Sequence, residues 1–167
     1  RSKYGFPIVA GLLDSCRAPF SATGLNVPWF AVHGNHDALL QGTVTPSAAT
    51  QAAQIADRRF EGLPSSLTLE ATLSAFNEEV TPDILRRAVE RGEYAYKHLA
   101  ADGVPKGHGF SEQNVREKTM YYSTEVGAVQ LIVLDTVNQF GGWQGSLDES
   151  QFAWLETEIR TATKPVV

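Results

Sequence analysis

The sequence predicts an α/β domain, and three observations carry that expectation. Val27-Pro28-Trp29-Phe30-Ala31-Val32-His33 is an apolar, β-branched and aromatic run, the pattern of a buried strand, and it ends in a glycine turn. Residues 119–126 and 129–135 read as two further strands joined by a tight turn at Gly127-Ala128, the second apolar on both faces and therefore central. Between these strands lie long stretches of helix formers, and strands alternating with helices make an α/β fold.

Along the chain, residues 7–17 carry Ile8, Leu12 and Leu13 at helical spacing and predict a helix, linked to the first strand by residues 20–26. After the glycine turn, residues 48–60 and 67–79 read as helices. Thr81-Pro82-Asp83 has the form of a helix start, threonine capping and proline at the first helical position. That helix is expected to run through Ile84, Leu85, Ala88, Tyr94 and Tyr96 to Ala101, with Asp102-Gly103 ending it. Residues 103–114 contain three glycines and little periodicity, which predicts a loop. Ser146-Leu147-Asp148-Glu149 reads as a capping box, and the helix after it is expected to bury Phe152, Leu155 and Ile159 along one stripe.

Composition narrows the function classes. At 167 residues, 43% hydrophobic and 20% charged, the chain is one ordinary globular domain's worth. A net charge of −5 supplies no basic field to gather nucleic acid or acidic lipid. It does not argue against a phosphate-ester substrate, because bound divalent cations reverse the local potential. Cys16 is alone, so neither a disulfide framework nor a zinc finger is available, and no run approaches the length of a membrane span. Oligomeric state and compartment leave no signal. Arg1 is not an initiator methionine, and Lys164-Pro165-Val166-Val167 opens a strand and stops, so the chain reads as an excerpt of a longer protein.

Chemistry concentrates where the first strand ends. Gly34-Asn35-His36-Asp37 places an amide, an imidazole and a carboxylate at the carboxyl edge of a strand, where open α/β sheets hold ligands. Gly34 is expected to take a backbone conformation closed to other residues, swinging the next side chains toward one focus. Such a tetrapeptide arises by chance in on the order of one in a thousand chains of this length. The plain alternative makes Asn35 a turn residue and His36 a surface imidazole.

This tetrapeptide resembles the Gly-Asn-His-(Asp/Glu) signature of the calcineurin-like metallophosphoesterases. The strand 129–136, the loop at Gly141-Gly142 and the Gln-x-x-Trp-Leu helix carrying Gln151, Trp154 and Leu155 resemble later parts of that family in the same order. Residues from about 42 to 118 have no counterpart in the family pattern and would form a helical insertion. The resemblance implies one partial domain over 1–167, part of a β-sandwich flanked by helices, and metal-dependent hydrolysis of phosphate monoesters or diesters at a centre of two divalent ions (Mn, Fe or Zn). It implies that Asn35 ligates one metal through its side-chain oxygen, a neutral donor that leaves the ion a strong Lewis acid. It implies that His36 is not a ligand but hydrogen-bonds the phosphate or protonates the leaving oxygen, work suited to an imidazole. Gly34 and Asp37 support them, Asp37 by capping the turn or the helix after it, or by orienting His36.

Other residues are read more plainly. His33, on the strand before the turn, is expected to pack or to back the site rather than to bind metal, and Asp135 to support it from a neighbouring strand. Gly107-His108-Gly109-Phe110 resembles the start of the family's late Gly-His-x-His motif, but Phe110 replaces the second histidine, so His108 reads as a loop residue. His98 is helical, facing solvent or packed. Trp29 and Trp154 read as core, with Trp143 the one placed to line a pocket. The family's Asp-x-His, Gly-Asp-x-x-(Asp/Asn) and late histidine motifs are not found in 1–167, so the chain is expected to hold no complete two-metal centre and to be inactive alone. Two competing classes remain: a non-catalytic scaffold or binding module on the same fold, and an unrelated α/β domain with an accidental turn, in which no strand equivalent to 129–135 would lie beside 27–33.

Overall fold

The computed structural model describes residues 9–21, 24–59, 78–140 and 143–167. It is a mixed helix and strand architecture, compatible with the α/β class. The helices are α1 (Leu12–Arg17), α2 (Asn35–Ala38), α3 (Ala48–Ile55), α4 (Arg91–Ala100), α5 (Glu112–Glu117) and α6 (Glu149–Thr161), with 3-10 turns at Ile84–Arg86 and Lys106–Gly109. The strands are β1 (Arg58–Arg59), β2 (Glu78–Glu79), β3 (Tyr122–Val126) and β4 (Val129–Val133), forming two antiparallel pairs, β1 with β2 and β3 with β4.

The hairpin forms where the sequence predicts it. Val126 faces Val129 across the Gly127-Ala128 turn and Tyr122 faces Val133 at the far end. The other edge of β4 is taken by the C-terminal residues, running parallel: Gln130 N–H donates to Pro165 O, Val167 N–H to Gln130 O and Ile132 N–H to Val167 O, each at 2.9 Å. β4 is therefore central in its small sheet, though Pro165, Val166 and Val167 beside it are exposed rather than buried.

The core gathers Ala31, Ala95, Phe110, Met120, Tyr122 and Val133, with Trp29, Phe30, Tyr94, Val115 and Leu131 packed around them. Trp29 stacks flat on the fully buried ring of His108, centroids 3.6 Å apart and 12° from parallel. This stack and the T-shaped Phe110–Tyr122 pair tie the first apolar run to the hairpin.

Several expectations are corrected. Residues 27–33 are extended but join no ladder: Trp29 N–H donates to Val104 O at 3.1 Å and Ala31 N–H to His108 O at 2.9 Å. What lies alongside is an irregular segment that offers carbonyls but no continuous edge, so only one face is covered. Ala31 and His33 are buried while Val27 and Val32 are 61% and 58% exposed. The segment is thus one-sided rather than a buried central strand.

The helix expected over 81–101 is two elements, the Ile84–Arg86 turn and α4. Asp83, not Thr81, caps the first, its Oδ1 accepting from Leu85 N–H at 2.9 Å. The Arg86 guanidinium donates to Ala56 O at 2.6 Å and Thr81 O at 2.8 Å, holding the turn against the end of α3 and away from a straight helical path. α3 stops at Ile55, and β1 follows it. Of the helix expected over 67–79, only Glu78–Glu79 is described, and its backbone is strand; residues 7 and 8 of the helix expected over 7–17 also lie outside the described residues.

Residues 103–114 are not a plain loop. They hold the Lys106–Gly109 turn and the start of α5, where Ser111 N–H and Oγ–H both reach Asn114 Oδ1 at 2.9 Å. α6 is capped by Asp148, whose Oδ1 accepts from Gln151 N–H at 2.8 Å, two residues later than the expected Ser146. Its packed face is accordingly Gln151, Trp154 and Leu155, and Phe152 and Ile159 stand more than half exposed.

Candidate functional site

The Gly-Asn-His-Asp segment folds as one turn of helix at the end of the extended run. Asp37 Oδ2 accepts from Gly34 N–H at 2.9 Å, closing the turn and leaving the carboxylate against the first helical amides, where negative charge is favoured. Gly34 itself has φ −119° and ψ 170°, an extended conformation open to any residue, so the expected backbone constraint is not there. It falls eight residues later, on Gly42.

Gly42 has φ +73° and lies in a tight loop after Gln41, itself left-handed at φ 51°. Its carbonyl accepts from Asn35 Nδ2 at 2.8 Å, and a Cβ on Gly42 would lie 2.6 Å from His36 Nε2 and 2.8 Å from Asn35 Nδ2. The side chains of Asn35 and His36 thus meet over a cradle that only glycine leaves open. Asn35 is half-buried, and His36 and Asp37 are exposed, so the cradle opens to solvent. With Nδ2 committed to Gly42, the Asn35 oxygen has no hydrogen-bond partner among the described residues.

Beneath the turn lies a buried polar node. Asp135 pairs with the Arg91 guanidinium at the start of α4 and accepts from Val137 N–H at 3.1 Å. Gln151 holds Asp135's backbone, accepting from its N–H and donating to its C=O, each at 2.8 Å. His33 Nδ1 stands 3.5 Å from Asp135 Oδ1 with no hydrogen bond, and Tyr94 packs edge-on to its ring at 4.9 Å. Burial, then the nearby Arg91 charge, push the His33 pKa down to about 4, with Asp37 acting weakly in the other direction. His33 is thus a neutral packed imidazole behind the turn, and Asp135 touches it from the segment following β4. Arg91 and Gln151 carried no sign of this node in sequence; Gln151 stood only inside a helix pattern.

The remaining candidates separate from the site. His108 is fully buried in the Lys106–Gly109 turn, its Nδ1 3.3 Å from Trp29 O. His98 is half-buried, its ring 4.5 Å from that of Tyr94, with Nδ1 2.9 Å from Tyr94 O. Trp154 packs on Tyr121 at 4.7 Å, and Trp143 is 74% exposed.

For a metal, Asn35 offers one neutral oxygen. Among the described residues no group of three or more His, Cys, Asp or Glu side chains is placed to hold an ion. The described residues therefore fit one donor of a centre and not a whole one. Among them, too, no helix is long and apolar enough to cross a membrane. No family model, curated protein or solved structure matches this chain.

Proposed function

We propose that this chain is part of a metal-dependent phosphoesterase of the calcineurin-like type, built on that family's β-sandwich, with other donors of the metal centre supplied by residues beyond those described. The observation that carries the proposal is the meeting of the Asn35 carboxamide and the His36 ring over Gly42 at an open face. Divalent ions bound there would supply charge neutralisation and a hydroxide nucleophile. Asn35 would present its oxygen without cancelling the ion's charge. His36, exposed and one residue further along the turn, would hydrogen-bond the phosphoryl oxygens or hand a proton to the leaving oxygen. Asp37 closes the turn through Gly34 N–H, and the Gly42 carbonyl holds the Asn35 carboxamide.

The test is Mn²⁺ binding and 4-nitrophenyl phosphate hydrolysis by the full-length protein, with and without Asn35→Ala. Loss of about a hundredfold in kcat/KM, near 2.7 kcal/mol of transition-state stabilisation, is expected. Equal activity removes Asn35 from the site, and a full-length protein that neither binds metal nor hydrolyses the ester overturns the reading.

A further inference from the structure

A cavity of about 290 Å³ shares Ala38 and Leu39 with the end of the turn; Pro46, Ala88, Val89 and Val137 complete its apolar wall, and the other half of its lining residues are polar or charged. We propose that it receives the leaving group of the phosphate ester, and that this group is a small, uncharged, largely apolar alcohol or phenol. The proposal rests on the phosphoesterase reading and adds the substrate class to it.

Contiguity places the cavity within reach of the reacting atoms. Leu39 follows α2 directly, its N–H donating to Asn35 O at 2.8 Å, and Gly42 N–H donates to Leu39 O at 3.1 Å. The same residue therefore supports the cradle on one side and lines the cavity on the other.

Size and charge select the group. The volume sits at the lower end of small-molecule pockets, which begin near roughly 300 Å³, enough for one or two rings and too small for a peptide. Arg91 lines the cavity but is paired with Asp135. Lys118 and Glu90 also line it and oppose each other in sign. No net charge is left to hold an ionic head group; Thr45, Gln51 and Gln139 offer neutral partners for a hydroxyl, and the aliphatic wall gains from covering the apolar part of the group.

The experiment uses the full-length protein, isotopically labelled, titrated with 1-naphthol and separately with phosphocholine while amide resonances are followed. Binding of 1-naphthol that shifts Leu39, Val89 and Val137, with no response there to phosphocholine, is expected. Ala88→Trp, which fills the cavity, and Val89→Asp, at a position 38% exposed, should each weaken naphthol binding at least tenfold in protein whose amide spectrum remains that of the folded chain. Shifts elsewhere, or wild-type affinity in both cavity variants, overturn the assignment whatever the esterase assay gives. Naphthol binding retained in a full-length protein without hydrolysis overturns the phosphoesterase reading instead.

Discussion

The carboxamide of Gln151 satisfies both backbone polar groups of Asp135, taking its N–H and giving to its C=O at 2.8 Å each. A side chain from the first turn of α6 thereby fixes the chain just after β4, and with it the carboxylate that pairs Arg91 and faces His33. Gln151 is 2% exposed, so water cannot substitute for it. Gln151→Leu keeps the volume and strands two buried groups, and should lower stability by about 2–4 kcal/mol. The urea midpoint measures this. A loss under about 0.5 kcal/mol, the range of a surface change, would mean that Asp135 finds other partners.

Tyr122 ties β3 to the extended segment before the turn. Its buried O–H donates to Ala31 O at 2.8 Å, with His108 O at 3.3 Å, and burial pushes its pKa up to about 12. Tyr122→Phe should destabilise by about 1–2 kcal/mol. Amide exchange at Ala31 should accelerate in that variant, because the segment has no ladder of its own to hold it.

Gly42→Ala and Gly34→Ala separate the two glycines. At Gly42 the added carbon meets His36 and Asn35 in a left-handed backbone; at Gly34 it meets Asp37 at an ordinary 3.4 Å in an extended one. Gly42→Ala should therefore lower the proposed phosphoesterase activity of the full-length protein at least about tenfold, or 1.4 kcal/mol, and Gly34→Ala far less. Equal effects would show that Gly42 does not hold the pair.

His33 gives the fold a pH dependence. Its pKa is about 4 folded against 6.5 free, so below pH 6.5 the unfolded chain binds a proton that the folded chain refuses. Stability is fully present above pH 6.5, falls as pH drops toward 4, and levels off below. The loss is on the order of 2 kcal/mol after allowance for screening. Urea unfolding at pH 7 and pH 4.5 should show it, and His33→Gln should flatten the difference.

Some of this was legible in the residues alone. The hairpin followed from two β-branched runs and a Gly-Ala turn, and Asp37's place as a cap from its position three residues past Gly34, because both depend on contacts a few residues apart. The turn of Asn35 and His36 was likewise local. Which face of α6 packs was not, since Gln151 rather than Phe152 turns inward to meet the Asp135 backbone sixteen residues before it.

Partners distant in sequence were decided only in three dimensions. Gly42 as the floor under Asn35, Arg91 against Asp135, and His108 stacked beneath Trp29 join segments 7, 44 and 79 residues apart. Periodicity records which way a side chain faces along its own element, and it holds no record of what the folded chain brings to meet it.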